Sequence, residues 1–138
     1  MKIKSIQQVK NLANKKVLLR ADFNVPIKGG KILDNYKIKR SLATIKFLLD
    51  KRAKVILVSH LGRPSGVDKK LSLKPVAAEL GKFLQKKIRL LDISNLRETK
   101  AQIDKLFPSA VVLLENIRFV DGESKNSEKL AKELAGLA

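Results

Sequence analysis

The chain has 138 residues, 44% of them hydrophobic and 31% charged, enough apolar content for one buried core and too well interleaved for a disordered segment. Thirty lysines and arginines against 13 aspartates and glutamates give a net charge of +17, a field that attracts anions such as nucleic acid, anionic membrane or phosphorylated metabolites. With no cysteine and one histidine, disulfides and thiol chemistry are excluded and a zinc site nearly so. No apolar run approaches the roughly 20 residues of a membrane span, and Met1 to Ser5 lack the apolar centre of a signal peptide. A soluble, cytoplasmic domain is the expectation.

Residues Ser5 to Asn11 predict a short opening helix capped by Ser5. Lys16 to Arg20 carries the continuous apolar run Val17-Leu18-Leu19, as expected of a strand covered on both faces. It runs into Asp22 and Asn24, whose spacing of two points both side chains the same way in extended backbone, and Pro26 ends regular pairing. Gly29 and Gly30 mark a tight turn. Asp34 or Asn35 then caps a helix to about Lys51, with Ile38, Leu42, Ile45, Leu48 and Leu49 on one stripe. Val55 to Val58 is a second buried strand, followed at once by Ser59-His60-Leu61-Gly62-Arg63-Pro64.

After a polar loop, Ser72 caps a helix with Pro75 in its first turn and Val76, Leu80, Phe83 and Leu84 inward. Ile88 to Leu91 is a third strand. A helix from Ser94 or Asn95 to Phe107 is expected to turn Leu96, Ile103, Leu106 and Phe107 inward, and Pro108 ends it. Ala110 to Leu114 is the fourth strand, leading into Glu115-Asn116-Ile117-Arg118-Phe119. Asn126 or Ser127 caps a last helix with Leu130, Leu134 and Leu137 in register. Strands alternate with helices and no hairpin signal joins two strands, which predicts βαβ units, a parallel Rossmann-like sheet and a three-layer αβα fold. The pattern stops inside the last helix where a further strand is expected, so the chain reads as cut short, with an open sheet edge that invites self-association.

In open parallel sheets, ligands bind beyond the carboxyl ends of the strands. That rule gathers Asp22 and Asn24, His60 and Arg63, and Glu115, Asn116 and Arg118 on one edge. Arginine forks suit phosphate and carboxylate, so a compact anion with a hydroxylated end fits this set. The glycine-rich phosphate loops of nucleotide sites are missing.

Val17-Leu18-Leu19-Arg20-Ala21-Asp22-Phe23-Asn24-Val25-Pro26 closely resembles a signature of the phosphoglycerate kinase family. So do Ser59-His60-Leu61-Gly62-Arg63-Pro64, the helix start Leu73-x-Pro75-Val76-Ala77, and Leu113-Leu114-Glu115-Asn116-Ile117-Arg118-Phe119. The resemblance covers essentially the whole chain. It implies that residues 1–138 are an incomplete N-terminal domain that binds 3-phosphoglycerate or 1,3-bisphosphoglycerate, the nucleotide-binding C-terminal domain being absent. The implied reaction is reversible phosphoryl transfer in glycolysis, between 1,3-bisphosphoglycerate with ADP and 3-phosphoglycerate with ATP, by in-line transfer on domain closure. Mg-ATP or Mg-ADP would sit outside this chain, which alone would bind substrate without turning it over.

The resemblance implies that Asp22 and Asn24 hold the hydroxyl and carboxylate end of the substrate and that His60, Arg63 and Arg118 hold chiefly its phosphate, with Phe23, Leu61 and Gly62 also in the binding set. The family arginine that neutralises the migrating phosphoryl group is replaced: register through Ile38, Leu42 and Thr44-Ile45-Lys46 puts Lys37 there, as catalytic and substrate-binding residue, with Arg40 one turn on as a lesser candidate. Lysine keeps the charge and loses the fork. Two other functions compete: a non-catalytic truncated domain acting as scaffold or anion sensor, and a basic nucleic-acid-binding module. The second is disfavoured by 4% aromatic content, no tryptophan and dispersed lysines.

Overall fold

The computed structural model describes residues 2–138. Its centre is a four-stranded, all-parallel sheet of β1 (Lys16–Arg20), β4 (Lys54–Val58), β6 (Val111–Leu114) and β5 (Arg89–Leu91), in the order β1-β4-β6-β5. Val55 lies between Val17 on β1 and Val111 on β6, and Leu113 pairs with both Leu57 and Leu90.

Alternation along the strands divides the core in two. Val55 and Leu57, with Val111 and Leu113, face α1 (Tyr36–Asp50) and α2 (Lys74–Leu84), meeting Ile38, Ile45, Leu48, Val76 and Leu80. Ile56, Val58, Val112 and Leu114 face the other way and pack with Ile103 of α3 (Leu96–Asp104) and with Leu130 and Leu137 in and beyond α4 (Glu128–Ala135). The central strands are buried on both faces, which is why they read as unbroken apolar runs. The expected α/β layering is present.

Four expectations need correction. Val17, Leu18 and Leu19 are only half-buried, because β1 lies at the end of the sheet order. A hairpin does exist: β2 (Ile27–Lys28) pairs antiparallel with β3 (Lys31–Ile32). Gly29 and Gly30 join them at φ 56° and 74°, the positive angles that a two-residue hairpin turn needs and glycine supplies without strain. The opening helix shrinks to a single 3-10 turn over Ile6–Gln8, capped by Ser5 and Gln8 in a reciprocal box. Phe107 is 81% exposed, since α3 ends at Asp104 and the following turn carries Phe107 outward.

The helix starts follow the sequence signals in part. Ser127 caps α4 by accepting from the Leu130 N–H. Asp34 accepts from the Tyr36 N–H, while Asn35, at the cap position of α1, donates to Glu79 instead.

Candidate functional site

Because the sheet is parallel, β1, β4 and β6 deliver their carboxyl ends to one edge. The chain leaves β1 through Ala21, whose N–H still bonds Val58 on β4, and then alternates sharply. Asp22 and Asn24 are exposed, whereas Phe23 between them is fully buried. The Phe23 N–H donates to the buried hydroxyl of Ser59 at 2.9 Å, so this loop is fastened to the end of β4. Asp22 Oδ1 accepts from the Asn24 N–H at 3.0 Å, an Asx turn that fixes the pair side by side.

Asp22 Oδ2 meets Lys37 Nζ, in the first turn of α1, at 2.9 Å. Partial burial pushes the Asp22 carboxyl up, but the Lys37 ammonium and the Asn24 N–H outweigh it and hold the group below its ordinary value. Arg40 makes no ion pair among the described residues, so the lysine at position 37 is the cation that α1 brings to Asp22.

From β4 come His60, Leu61, Gly62 and Arg63. Gly62 has φ 63°, and in that turn its N–H donates to Asn24 Oδ1 at 3.1 Å while its carbonyl accepts from Arg118 Nη1 at 3.0 Å. Three strand ends are thereby linked through one glycine. Arg63 is exposed and unpaired among the described residues. His60 is half-buried; burial, Arg118 and Arg20 push its pKa below the ordinary histidine value against the opposing pull of Glu123 and Asp22, so its ring is neutral at pH 7. Leu61 is buried in the core, and like Phe23 its N–H is engaged inside the protein, by Asn116 and Ser59 respectively.

β6 contributes Arg118, while its other polar residues build the frame. Asn116 is fully buried, donating to the carbonyls of Leu61 and Leu71 and accepting from the N–H groups of Leu61 and Arg118. Glu115 accepts from the Leu73 N–H and the Ser72 hydroxyl and so caps the start of α2 from across the sheet edge. Ser72 accepts from the Lys74 N–H, but the N-cap position of α2 is Leu73, which makes no side-chain capping bond, so the expected Ser72 cap lies one residue too early.

Two residues of this edge lie outside the sequence-derived set. Arg20, the last residue of β1, donates through Nη2 to Glu123 Oε1 at 2.6 Å, and Arg118 Nε donates to Glu123 Oε2 at 2.7 Å. Arg20 has a legible signal, since it directly precedes the Asp-x-Asn loop; Glu123 sits in an aperiodic turn and has none.

Arg63 and Arg118 line a cleft of about 670 Å³ with Ser65 and Gly66 on one side and Asp121 and Ser124 on the other. A larger cleft of about 1200 Å³, lined mostly by apolar groups including Ile27, Leu90 and Phe119, runs beside α2 and contains none of Asp22, Asn24, His60, Arg63 or Arg118. The smaller, more polar cleft holds Arg63 and Arg118 and, like the larger one, is not lined by Asp22, Asn24 or His60. Among the described residues no group of three His, Cys, Asp or Glu is gathered that could hold a metal ion.

Fold and edge together define a parallel α/β domain whose strand ends present arginines, a neutral histidine and an Asp-Asn pair. The phosphoglycerate kinase family model matches residues 6–138. The chain is 48% identical over 128 residues to the phosphoglycerate kinase of Dictyoglomus turgidum, covering 93% of this chain and 32% of that protein. It is 46% identical over 137 residues to that of Helicobacter pylori, covering 98% and 33%. The structure of phosphoglycerate kinase from Coxiella burnetii superposes with a TM-score of 0.84 at 38% identity, over 96% of this chain and 33% of that one. The chain therefore belongs to the phosphoglycerate kinase family, and it spans about a third of the length of the curated relatives it matches.

Proposed function

We propose that this chain is the substrate-binding part of a phosphoglycerate kinase, a phosphotransferase acting between a nucleotide and the carboxylate of 3-phosphoglycerate, and that its sheet edge holds the triose. The observation that carries this reading is the convergence of Asn24, Gly62 and Arg118 through the 3.1 and 3.0 Å hydrogen bonds at Gly62. These bonds support reading the Asp22–Asn24 loop and Arg118 as neighbouring walls of one site.

In this reading Arg63 and Arg118 take the phosphate with their planar forks. Neutral His60 donates one ring N–H, and Asp22 and Asn24 take the hydroxyl and carboxylate end. Lys37, held on Asp22 at 2.9 Å, supplies the positive charge nearest the carboxylate that gains or loses the phosphoryl group. Phe23, Leu61 and Gly62 hold the walls in place, their N–H groups donating to Ser59, Asn116 and Asn24. Catalysis of this kind rests on positioning and charge stabilisation.

Magnesium and the nucleotide would supply the transferable phosphoryl group. This chain spans about a third of the length of its curated relatives, and in this reading the nucleotide is held by the part of the enzyme that it does not span. The domain boundary and a cytoplasmic location belong to the same proposal; no helix among the described residues is long and apolar enough to cross a membrane.

Calorimetric titration of 3-phosphoglycerate into the chain tests this. Saturable binding is expected, weakened by salt and by Arg63→Ala. A well-folded sample that releases no binding heat and shows no resonance shift would refute it.

A further inference from the structure

Glu123 is shared by the two arginines of the edge, and its place relative to the cleft says what it does there. Its carboxylate accepts from Arg20 Nη2 with one oxygen and from Arg118 Nε with the other, at 2.6 and 2.7 Å. Its side chain is only 12% exposed. Gly122 and Ser124 line the cleft with Arg118, whereas Glu123 between them does not. The carboxylate holds Arg118 without lining the cleft, and Arg20 does not line it either.

Nη2 of Arg118, and Nε and Nη1 of Arg20, donate to nothing else among the described residues. Two guanidiniums held on one carboxylate would repel each other without it, and a half-buried arginine without a partner samples many rotamers. Burial pushes the Glu123 carboxyl up, yet the two arginines hold it below its ordinary value, so it stays ionised at pH 7.

We propose that Glu123 is a positioning residue: by bridging Arg20 and Arg118 without itself lining the cleft, it fixes the Arg118 guanidinium in the cleft wall before an anion arrives. The proposal rests on the anion-site reading above and adds the residue that pre-sets it. The gain comes from ordering the arginines in the free protein, so that binding does not bear that entropy.

The test titrates 3-phosphoglycerate into the unsubstituted chain and into Glu123→Gln, Glu123→Asp and Asn95→Ala, and measures solvent exchange of the Arg118 Nε–H in the ligand-free proteins. Asn95 caps α3 and touches neither arginine, so its loss reports what destabilisation alone does. Glu123→Gln should weaken binding about tenfold to a hundredfold and speed the exchange by about tenfold. Glu123→Asp, which keeps the charge but withdraws it by one carbon, should give an intermediate loss, and Asn95→Ala should match the unsubstituted chain.

Unchanged or tighter binding in Glu123→Gln, or an equal loss in Asn95→Ala, overturns the proposal. If the unsubstituted chain itself fails to bind, the functional reading falls separately. Arg118 exchange in the free protein then decides the positioning role: equal rates in Glu123→Gln and the unsubstituted chain overturn it.

Discussion

The Arg118 guanidinium rests on the backbone of Gly62, its Nη1 donating to the glycine carbonyl at 3.0 Å. Arg118 follows β6 and Gly62 follows β4, two neighbouring parallel strands, so the side chain that faces the cleft is braced by the strand beside its own. Glu123 holds the same guanidinium through Nε.

Arg118→Ala should weaken 3-phosphoglycerate binding by about tenfold to a hundredfold, the range for losing hydrogen bonds to a charged group. Arg118→Lys should recover little of that, because one ammonium cannot serve the Gly62 carbonyl, Glu123 and a phosphate at once. Titration calorimetry on the two variants checks the order, and an Arg118→Lys affinity equal to the unsubstituted chain would contradict it.

Gly62→Ala should cost stability and affinity together. At φ 63° a residue with a Cβ is strained by about 1–2 kcal/mol, and the new Cβ would come within 2.9 Å of Leu71 Cδ2. The end of the Leu71 side chain can yield, so unfolding is not expected. A urea midpoint lowered by an amount matching about 1–2 kcal/mol is the readout. Gly30→Ala, at φ 74° with nothing within 4 Å of its Cβ, should show backbone strain alone and leave binding intact.

Lys37→Ala should hardly change stability, because the Lys37–Asp22 pair is largely exposed and such pairs contribute about 0–1 kcal/mol. Its effect should appear at Asp22, whose carboxyl loses the ammonium that outweighs burial and titrates higher. The side-chain carboxyl resonance of Asp22, followed through an acid titration, reads that shift. A stability loss well above about 1 kcal/mol would mean that Lys37 does more structural work than this contact accounts for.

Binding should take up a proton at mildly acid pH. In the free protein the His60 pKa lies below its ordinary value of 6.5 through burial and the nearby Arg118; a bound phosphate adds negative charge beside it and raises it. Affinity should therefore strengthen as pH falls from about 8 toward the second phosphate pKa of about 6, with a binding enthalpy that depends on the buffer. The stability linkage runs the opposite way. A depressed histidine pKa contributes stability that is complete above 6.5 and lost as pH falls through the folded-state value. As the chain's only histidine, His60 gives one unambiguous resonance for both measurements.

The apolar runs of β4 and β6 made the sheet legible, since a strand buried on two faces has no other pattern. The Asp-x-Asn, His-x-x-Arg and Arg118 segments were legible because parallel strands must end at one edge. Less visible was the division of labour at that edge. Glu115 and Asn116 sit in a functional-looking motif, yet one caps α2 and the other ties Leu61 to Leu71. A polar side chain that satisfies backbone and one that meets a ligand look alike in sequence.

The Gly29-Gly30 hairpin escaped because two-residue strands carry too little alternation to register, although the glycine pair itself is the stronger sign. Phe107 misled because helical spacing continues past Asp104 while the helix does not. Glu123 had no pattern to betray it. Its partners lie 103 and 5 residues away in the chain, and only the fold brings them together.

Phe23 gives the Asp22–Asn24 loop a kinetic character. Lifting the loop off the edge means extracting a fully buried phenylalanine and breaking its N–H bond to Ser59, at about 3 kcal/mol or more. At that cost fewer than about 1% of molecules have the loop detached at any moment. Association with a small anion should then be a single step whose observed rate rises linearly with ligand concentration, without the plateau that a slow opening of this loop would impose.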